Sequence, residues 1–203
     1  MANHHLFFCI ERIIGIGWKE IMGQFSYHHD VWGGACNNRY SPIFLYLHLI
    51  YQREATMTSS ITLRSLTAQD IPMMVEQFAA HDWPKPSSTF ERYLFEQESG
   101  MRLVWLGFYE KQFAGYVTLT LQSLYEPFRT KYTPEIMDLN VLPPYRNKGI
   151  GSLLIETAEQ EAFMRNNTVS IGVGLYAGYG NAQKLYIARG YQPDGLGVTY
   201  THL

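Results

Sequence analysis

From Ile61 to about Arg189, apolar residues recur at spacings that switch repeatedly between the strand period and the helix period. Runs rich in β-branched and aromatic residues predict strands at residues 61–66, 102–109, 113–121, 135–142 and 168–176. Helical spacing predicts helices at residues 67–80, 88–99, 150–162 and 181–189. The order β-α-α-β-β-β-α-β-α, followed by a short tail, predicts a mixed α/β domain of the α+β class.

The first 56 residues differ from the rest of the chain in pattern and composition. They contain five of the seven histidines and both cysteines, Cys9 and Cys36, and their hydrophobic periodicity is poor. We therefore predict an N-terminal extension at residues 1–56 and one folded domain at residues 57–203. Met57 is a candidate for the natural start, in which case the extension is a translated leader outside the native domain. The mass of the native protein distinguishes these two readings.

Composition and charge narrow the range of partners. The hydrophobic share of 46% and the charged share of 17% are typical of a folded protein. The net charge of -2, with both signs mixed along the chain, predicts no basic surface for nucleic acid. The longest apolar run, residues 43–51, is about half of the roughly 18 residues that span a bilayer. We expect a cytoplasmic protein with reduced thiols and no membrane partner. Whether the protein forms a homodimer is left open.

The number of histidines raises the hypothesis of a metal site, but their spacing gives it little support. The candidates are His4, His5, His28, His29 and His48. Adjacent histidines point in different directions on regular structure, and no Cys/His spacing in the chain matches a zinc site. We therefore predict no metal cofactor.

One turn carries the clearest chemical signal. The segment from Asp138 to Gly151 runs from a strand, through Pro143-Pro144, into a turn with two glycines and then directly into an amphipathic helix. A helix N-terminus has unpaired N–H groups and a partial positive charge, and glycines let an anion approach the backbone. The turn is thus a candidate pyrophosphate site. Similar turns occur in proteins that bind nothing there, and this one is neither a Walker A loop nor a dinucleotide fingerprint.

Two ordered motifs resemble the GNAT superfamily of acetyl-CoA-dependent N-acetyltransferases. Arg146-x-x-Gly149-x-Gly151, after a strand that ends in Val-x-Pro, resembles the family's Arg/Gln-x-x-Gly-x-Gly/Ala signature. The segment from Asn181 through Leu185-Tyr186 to Gly190-Tyr191 resembles the family's Asn…Leu-Tyr-x-x-x-Gly-Tyr/Phe segment. The resemblance spans roughly residues 61–192. It implies a GNAT-like acyl-CoA N-acyltransferase fold, with a central, mostly antiparallel sheet flanked by helices.

The resemblance also implies where acetyl-CoA, the co-substrate, would bind. The pyrophosphate would lie on the backbone N–H groups of the turn, which comprises Arg146, Asn147, Lys148, Gly149, Ile150 and Gly151. The pantetheine arm would follow the strand edge at Leu139 and Val141, with the Val141 N–H near the thioester carbonyl. The side chains of these two residues also suit an ordinary sheet core. Asn181 would contact the cofactor arm, although N-capping of its helix is sufficient reason for an asparagine there.

The implied reaction is direct attack of a neutral amine on the thioester, which needs a base and an acid. Tyr186 matches the family tyrosine that protonates the departing thiolate, and core packing is its alternative role. Glu135 and Asp138, on the strand before the turn, are the candidate bases, and both also suit solvated strand ends. Unbroken strand alternation would place Asp138 with Asn140 on one face and Glu135 on the other.

Two departures and one alternative accompany this prediction. The extension has no family counterpart, and the chain ends where the family adds a last strand beside residues 168–176. Residues 195–200 suit the start of that strand, so we expect the strand to be incomplete. The acceptor, a small-molecule or peptide amine, would be selected by loops 79–86 and 124–134. The alternative function is a non-catalytic acyl-CoA-binding regulatory module.

Overall fold

The computed structural model describes residues 4–11, 60–175 and 177–200. The strands are β1 (His4–Glu11), β2 (Ile61–Ser65), β3 (Arg102–Tyr109), β4 (Gln112–Thr120), β5 (Glu135–Val141), β6 (Thr168–Gly174) and β7 (Gln192–Tyr200). The helices are α1 (Ile71–Ala79), α2 (Ser87–Glu98), the short α3 (Glu126–Arg129), α4 (Ile150–Phe163) and α5 (Gly180–Ala188). Short 3-10 turns occupy Ala68–Asp70, Pro143–Tyr145 and Ala177–Tyr179.

The seven strands form one sheet in the order β2-β3-β4-β5-β6-β1-β7. Neighbouring strands are antiparallel except β5 and β6, which run parallel. The predicted mixed α/β fold with a mostly antiparallel sheet is therefore confirmed. The predicted helices and strands from Ile61 onward are present, and their ends lie within about two residues of expectation except at α1, which begins at Ile71 after the 3-10 turn Ala68–Asp70 and not at residue 67. The predicted loop at residues 124–134 contains the short helix α3.

The N-terminal strand is the main addition to the predicted order. Residues 4–11 belong to the same compact unit as the described residues from Ser60 onward. The predicted extension at residues 1–56 therefore contributes one strand to the sheet. This strand lies beside β6, the position that the resemblance assigned to a last strand. The prediction that residues 195–200 begin an incomplete strand beside β6 is therefore wrong, because β7 extends from Gln192 to Tyr200 and pairs with β1. The remainder of the extension and Met57 lie outside the described residues, so the natural start stays a prediction.

Each face of the sheet has its own apolar core. The first core packs under α4 and includes Phe8, Val117, Leu119, Ile136, Leu154, Ile155, Val169 and Ile171. The second packs under α1 and α2 and includes Met74, Phe78, Phe90, Val104, Leu106, Tyr116 and Leu142. Many of these side chains are fully buried, and such apolar burial is the dominant favourable contribution to folding. The two cores pack the middle strands between helices on both faces.

A capping box formed by Thr67 and Asp70 begins the first helical segment. Asp70 Oδ2 accepts hydrogen bonds from Thr67 N at 2.9 Å and from Thr67 Oγ1 at 2.6 Å. The Arg64 guanidinium adds two further bonds, and these partners lower the pKa of Asp70 to about 2. The capping residues thus fix the chain direction between β2 and α1.

Candidate functional site

A bulge interrupts β5 at the point where the candidate bases lie. On β4, Tyr116 pairs with Asn140 and Thr118 pairs with Met137, so Val117 alone lies opposite two residues of β5. Asp138, one of those two, has a φ of 49°, in the left-handed region. A bulge of this kind re-aims the side chains around it.

Gly115 makes the close approach of β4 to this bulge feasible. A Cβ on Gly115 would lie 2.2 Å from the carbonyl oxygen of Asn140 and 2.9 Å from the Cα of Val141. Both neighbours are backbone atoms, which cannot move away as a flexible side chain would. Any larger residue at this position would therefore force β4 and β5 apart, so the shape of the bulge depends on a glycine on the neighbouring strand.

The bulge overturns the prediction that Glu135 and Asp138 face opposite sides of the sheet. Asp138 Oδ2 accepts a hydrogen bond from the Tyr93 hydroxyl of α2. Glu135 interacts electrostatically with Arg102. The Arg102 guanidinium carbon in turn lies 4.7 Å from the centre of the Tyr93 ring of α2. Both carboxylates therefore lie on the side covered by α2. The alternation argument failed because one extra residue in β5 reverses the face of every position on one side of it.

Beyond Ile136, β5 and β6 separate. The parallel pairing comprises Glu135 with Ser170 and Ile136 with Ile171, although β5 continues to Val141 and β6 to Gly174. Within the described residues, the edge of β5 that carries Leu139 and Val141 is thus unpaired on the β6 side. An open strand edge of this length is a template for an extended ligand, because its N–H and C=O groups lack a neighbouring strand.

The predicted anion-binding turn follows directly. Gly149 is the N-cap of α4 with a φ of 83°, and Asn147 has a φ of 59°. Leu153 N donates to Gly149 O at 3.0 Å, so the N–H groups of residues 150–152 precede the first full helical turn. The turn is exposed around Arg146, Asn147 and Gly149, whereas Ile150 is buried beneath it. Its geometry therefore leaves several N–H groups available to an anion.

The basic side chains of the turn are already held by neighbouring groups. Arg146 Nε donates to Val141 O at 3.0 Å, which ties the turn back to the end of β5. Lys148 Nζ lies 4.4 Å from the centre of the Tyr109 ring and 5.6 Å from that of Tyr145. These contacts orient one guanidinium and one ammonium at the turn, where both add positive charge.

Asp138 is the centre of a polar and aromatic cluster that the sequence motifs did not indicate. Its Oδ2 accepts hydrogen bonds from the Tyr93 and Tyr116 hydroxyls, the latter at 3.2 Å, and lies 3.9 Å from Lys85 Nζ. The Lys85 ammonium also lies 5.4 to 5.6 Å from the ring centres of Phe78, Trp83 and Tyr116. The cluster thus combines one carboxylate with several ring faces, which is a favourable environment for a cation.

Glu135 is buried, with 4% of its surface exposed. Burial raises the pKa of this carboxyl group, while the hydrogen bond from Ser123 and the charge of Arg102 oppose the rise. Ser123 Oγ donates to Glu135 Oε2 at 2.6 Å and accepts from Tyr125 N at 3.0 Å. Ser123 therefore links Glu135 to residues 121–134, which we call the β4–β5 segment.

Tyr186 and Asn181 both lie on α5. Tyr186 is 5% exposed and belongs to the core under α4, with its ring centre 5.9 Å from that of Tyr191. Burial raises the pKa of the Tyr186 phenol well above its ordinary value, so the hydroxyl keeps its proton at neutral pH. Asn181 is exposed and is the second residue of the helix. It does not occupy the cap, because the preceding 3-10 turn places Tyr179 there.

Several residues near the site carried no motif signal. Lys85, Tyr93 and Tyr116 reach Asp138 from a loop, a helix and another strand, so no local spacing relates them. Phe7 reaches the β4–β5 segment from the other end of the chain. The sequence did offer one indication of Lys85, because it lies between Pro84 and Pro86 in a loop that was already predicted to select the acceptor.

The described residues contain no cluster suited to a metal ion, where three or more His, Cys, Asp or Glu side chains would be needed. The side chains on which the metal hypothesis depended lie outside the described part of the chain. Among the helices described, none has the length and apolarity to cross a bilayer.

Comparison with known proteins adds independent information. Residues 71–191 match the model of the Acetyltransferase (GNAT) family. No curated protein matches the sequence. Among solved structures, an N-acetyltransferase from Staphylococcus aureus Mu50 is similar with a TM-score of 0.54 and 16% identity, over 66% of this chain and 85% of that one.

Two further structures share the fold. A ribosomal-protein-alanine N-acetyltransferase from Brucella melitensis has a TM-score of 0.52 and 20% identity, over 64% of this chain and 84% of its own. The protein yncA from Salmonella typhimurium, solved with its cofactor acetyl-CoA, has a TM-score of 0.50 and 18% identity, over 66% and 80% respectively. At such identities the likeness concerns the fold alone.

Proposed function

Because this chain belongs to the acetyltransferase (GNAT) family, we propose that it transfers an acetyl group from acetyl-CoA to a primary amine of a small molecule or peptide. The observation that carries the proposal is the juxtaposition of an open β5 edge with the glycine turn at the start of α4. An extended arm that ends in a pyrophosphate fits this pair of features, because the strand edge suits the arm and the helix start suits the anion.

The backbone of the turn and strand is proposed to hold acetyl-CoA. The N–H groups of Asn147, Lys148, Gly149, Ile150 and Gly151 would surround the pyrophosphate, assisted by the cationic side chains of Arg146 and Lys148. The Arg146 N–H itself donates to Pro143 O at 3.3 Å, so Arg146 would contribute through its side chain. The backbone at Leu139 and Val141 would pair with the pantetheine arm, and Asn181 would approach the arm from α5. Since main-chain groups supply most of these contacts, their geometry is preorganised by the fold.

The cluster around Asp138 is proposed to receive the acceptor. A carboxylate and several ring faces favour an ammonium ion over a neutral or anionic group. Lys85 supports this assignment, because its own ammonium lies among those rings at 3.9 Å from Asp138 Oδ2. The acceptor is therefore expected to be a cationic amine.

The proposed chemistry assigns separate proton transfers to separate residues. Glu135, whose pKa is raised by burial, would take a proton from the ammonium, directly or through water, and Asp138 would attract that ammonium. The neutral amine attacks the thioester carbonyl, a C–N bond forms and the C–S bond breaks. Tyr186 would protonate the departing thiolate. The net reaction converts an ammonium ion and acetyl-CoA into an amide, free CoA and a proton.

A binding and turnover experiment tests the proposal. Calorimetric titration with acetyl-CoA should show saturable binding, and thiol release should accelerate with at least one of spermidine, lysine, an aminoglycoside and a peptide with a free N-terminus. Binding without turnover for a broad amine panel would favour the regulatory module. Absence of acetyl-CoA binding would refute both functions.

Replacement of Tyr186 by Phe tests the proposed acid. Loss of a general acid typically lowers the rate by about 10²- to 10⁴-fold, and we expect kcat to fall within that range at unchanged acetyl-CoA affinity. Tyr191→Phe is the matched control, because it removes a hydroxyl from the neighbouring ring in the same core. Equal rates for wild type and Tyr186→Phe would remove Tyr186 from the mechanism.

A further inference from the structure

The N-terminal strand lies in the interior of the sheet. β1 pairs antiparallel with β6 from His5 opposite Gly174 to Glu11 opposite Thr168, and it pairs with β7 along its other edge. In the strand order, β1 joins β7 to the rest of the sheet. The strand is therefore part of the domain that carries the site, although about 50 residues separate it in sequence from the next strand, β2.

Two successive phenylalanines of β1 face opposite sides of the sheet. Phe8 is 6% exposed and belongs to the core under α4. Phe7 is 5% exposed and stacks flat on Tyr125, with ring centres 4.0 Å apart and an interplanar angle of 5°. The Phe7 ring also meets Phe128 edge-on, with centres 5.7 Å apart. Phe7 thus holds two aromatic residues of the β4–β5 segment.

The hydroxyl group of Tyr125 is also held by a hydrogen bond. The Tyr125 hydroxyl donates to Asp194 Oδ2 of β7 at 2.8 Å. Burial raises the pKa of Tyr125 to about 12, with the Asp194 hydrogen bond adding to the rise, so this donor keeps its proton at neutral pH. The segment is consequently fastened to both β1 and β7 through one aromatic side chain.

The same phenylalanine borders the buried carboxylate. A Cβ on Gly172 of β6 would lie 3.1 Å from Phe7 Cε1 and 3.4 Å from Glu135 Oε1, so ring and carboxylate share the space above this glycine. The β4–β5 segment enters β5 at Glu135, and Ser123 of that segment donates to the carboxylate. A shift of the segment would therefore alter the surroundings of Glu135.

We propose that β1 completes the acceptor side of the site and that Phe7 is a positioning residue, which holds the β4–β5 segment against Glu135. The catalytic meaning of this role rests on the function proposed above. The chemical reason is that a stacked aromatic pair fixes ring orientation, whereas general apolar burial does not. The first residues of the chain would thus influence amine selection without touching acetyl-CoA.

A matched pair of substitutions in the full chain tests this role. Phe7→Leu and Phe8→Leu each replace one buried ring on the same strand, and both should lower the unfolding midpoint by a similar amount. Phe7→Leu alone should speed amide hydrogen exchange at residues 121–134 by about tenfold, because it removes the stacked and edge-on contacts. It should also raise KM for whichever panel amine turns over fastest, with an unchanged Kd for acetyl-CoA.

Two results would overturn the positioning role of Phe7. Equal exchange rates and equal amine KM values for the two variants would overturn the positioning role, since both rings would then be merely structural. If Phe7→Leu does not fold, Tyr125→Leu removes the same stack from the segment side and should reproduce the amine effect; a normal amine KM in that variant would also overturn the proposal.

The test separates this proposal from the proposed function. Faster segment exchange in Phe7→Leu, combined with no turnover by the wild type, would reject the transferase function alone. Normal wild-type turnover with no effect of Phe7→Leu would reject the role of Phe7 alone.

Discussion

The two sides of the site differ in how the chain builds them. Apart from Asn181, the proposed cofactor side, residues 139–151, is one continuous segment in which a strand, a tight turn and a helix follow directly. The proposed acceptor side brings together β1, the β4–β5 segment, Tyr93 of α2 and Lys85 of the loop before α2. A continuous segment can be recognised by its spacing, whereas a discontinuous one depends on strand pairing and packing. The cofactor side is therefore expected to be locally robust, and the acceptor side sensitive to distant changes.

The largest expected effect concerns the cofactor side. Gly149→Val should weaken acetyl-CoA binding by at least about 100-fold, or roughly 2.7 kcal/mol, because a β-branched side chain at a φ of 83° disturbs the turn and blocks the anion. Isothermal titration calorimetry measures the change.

Gly100→Val is the control for backbone strain. Gly100 has a φ of 71° and open space around its Cβ position, so the variant should lose similar stability while acetyl-CoA affinity stays normal. Wild-type affinity in Gly149→Val would exclude the turn from the cofactor site.

An intermediate effect is expected on the acceptor side. Asp138→Asn removes the charge near Lys85 and the two tyrosine hydroxyls, and we expect kcat/KM for a cationic amine to fall by about tenfold or more. Steady-state kinetics at saturating acetyl-CoA measure it. Glu91→Gln, an equal charge change on the exposed face of α2, should leave the rate unchanged. A comparable loss in both variants would indicate general charge steering rather than a local role for Asp138.

The smallest effect is a change in the pH dependence of stability. Burial raises the folded-state pKa of Glu135 above its ordinary value of 4.5, so this group favours the folded state below pH 4.5. That contribution is lost as pH rises through the raised pKa. Glu135→Gln should therefore become more stable relative to wild type between pH 4 and pH 8, as measured by urea unfolding. A constant stability difference across that interval would show that Glu135 titrates normally in the folded protein.

The predictable part of the fold follows from local periodicity. The turn around Gly149 and the helix after it were identified from two glycines and a helical run of apolar residues. The first strand was not predicted, although the continuous apolar run at residues 6–10 is typical of a strand buried on both faces. A run that short is ambiguous, because only a partner elsewhere in the chain decides whether it pairs.

The candidate site shows the same division. Asp138 and Glu135 were recognised as acidic residues on the strand before the turn, but their common side was not predicted. The left-handed conformation at Asp138 and the glycine at position 115 together create the bulge. Because these features belong to two strands, the alternation of residues along one strand does not reveal them.

The sequence by itself determined the order of the longer helices and strands between Ile61 and Ala188, the strand-turn-helix arrangement around Gly149 and the family resemblance. These depend on interactions between residues close in the chain, which spacing and residue type control. The tertiary structure alone decided that β1 enters the sheet, that Phe7 meets the β4–β5 segment and that Lys85 lies beside Asp138. Those contacts join distant positions, so register and packing across the whole sheet select them.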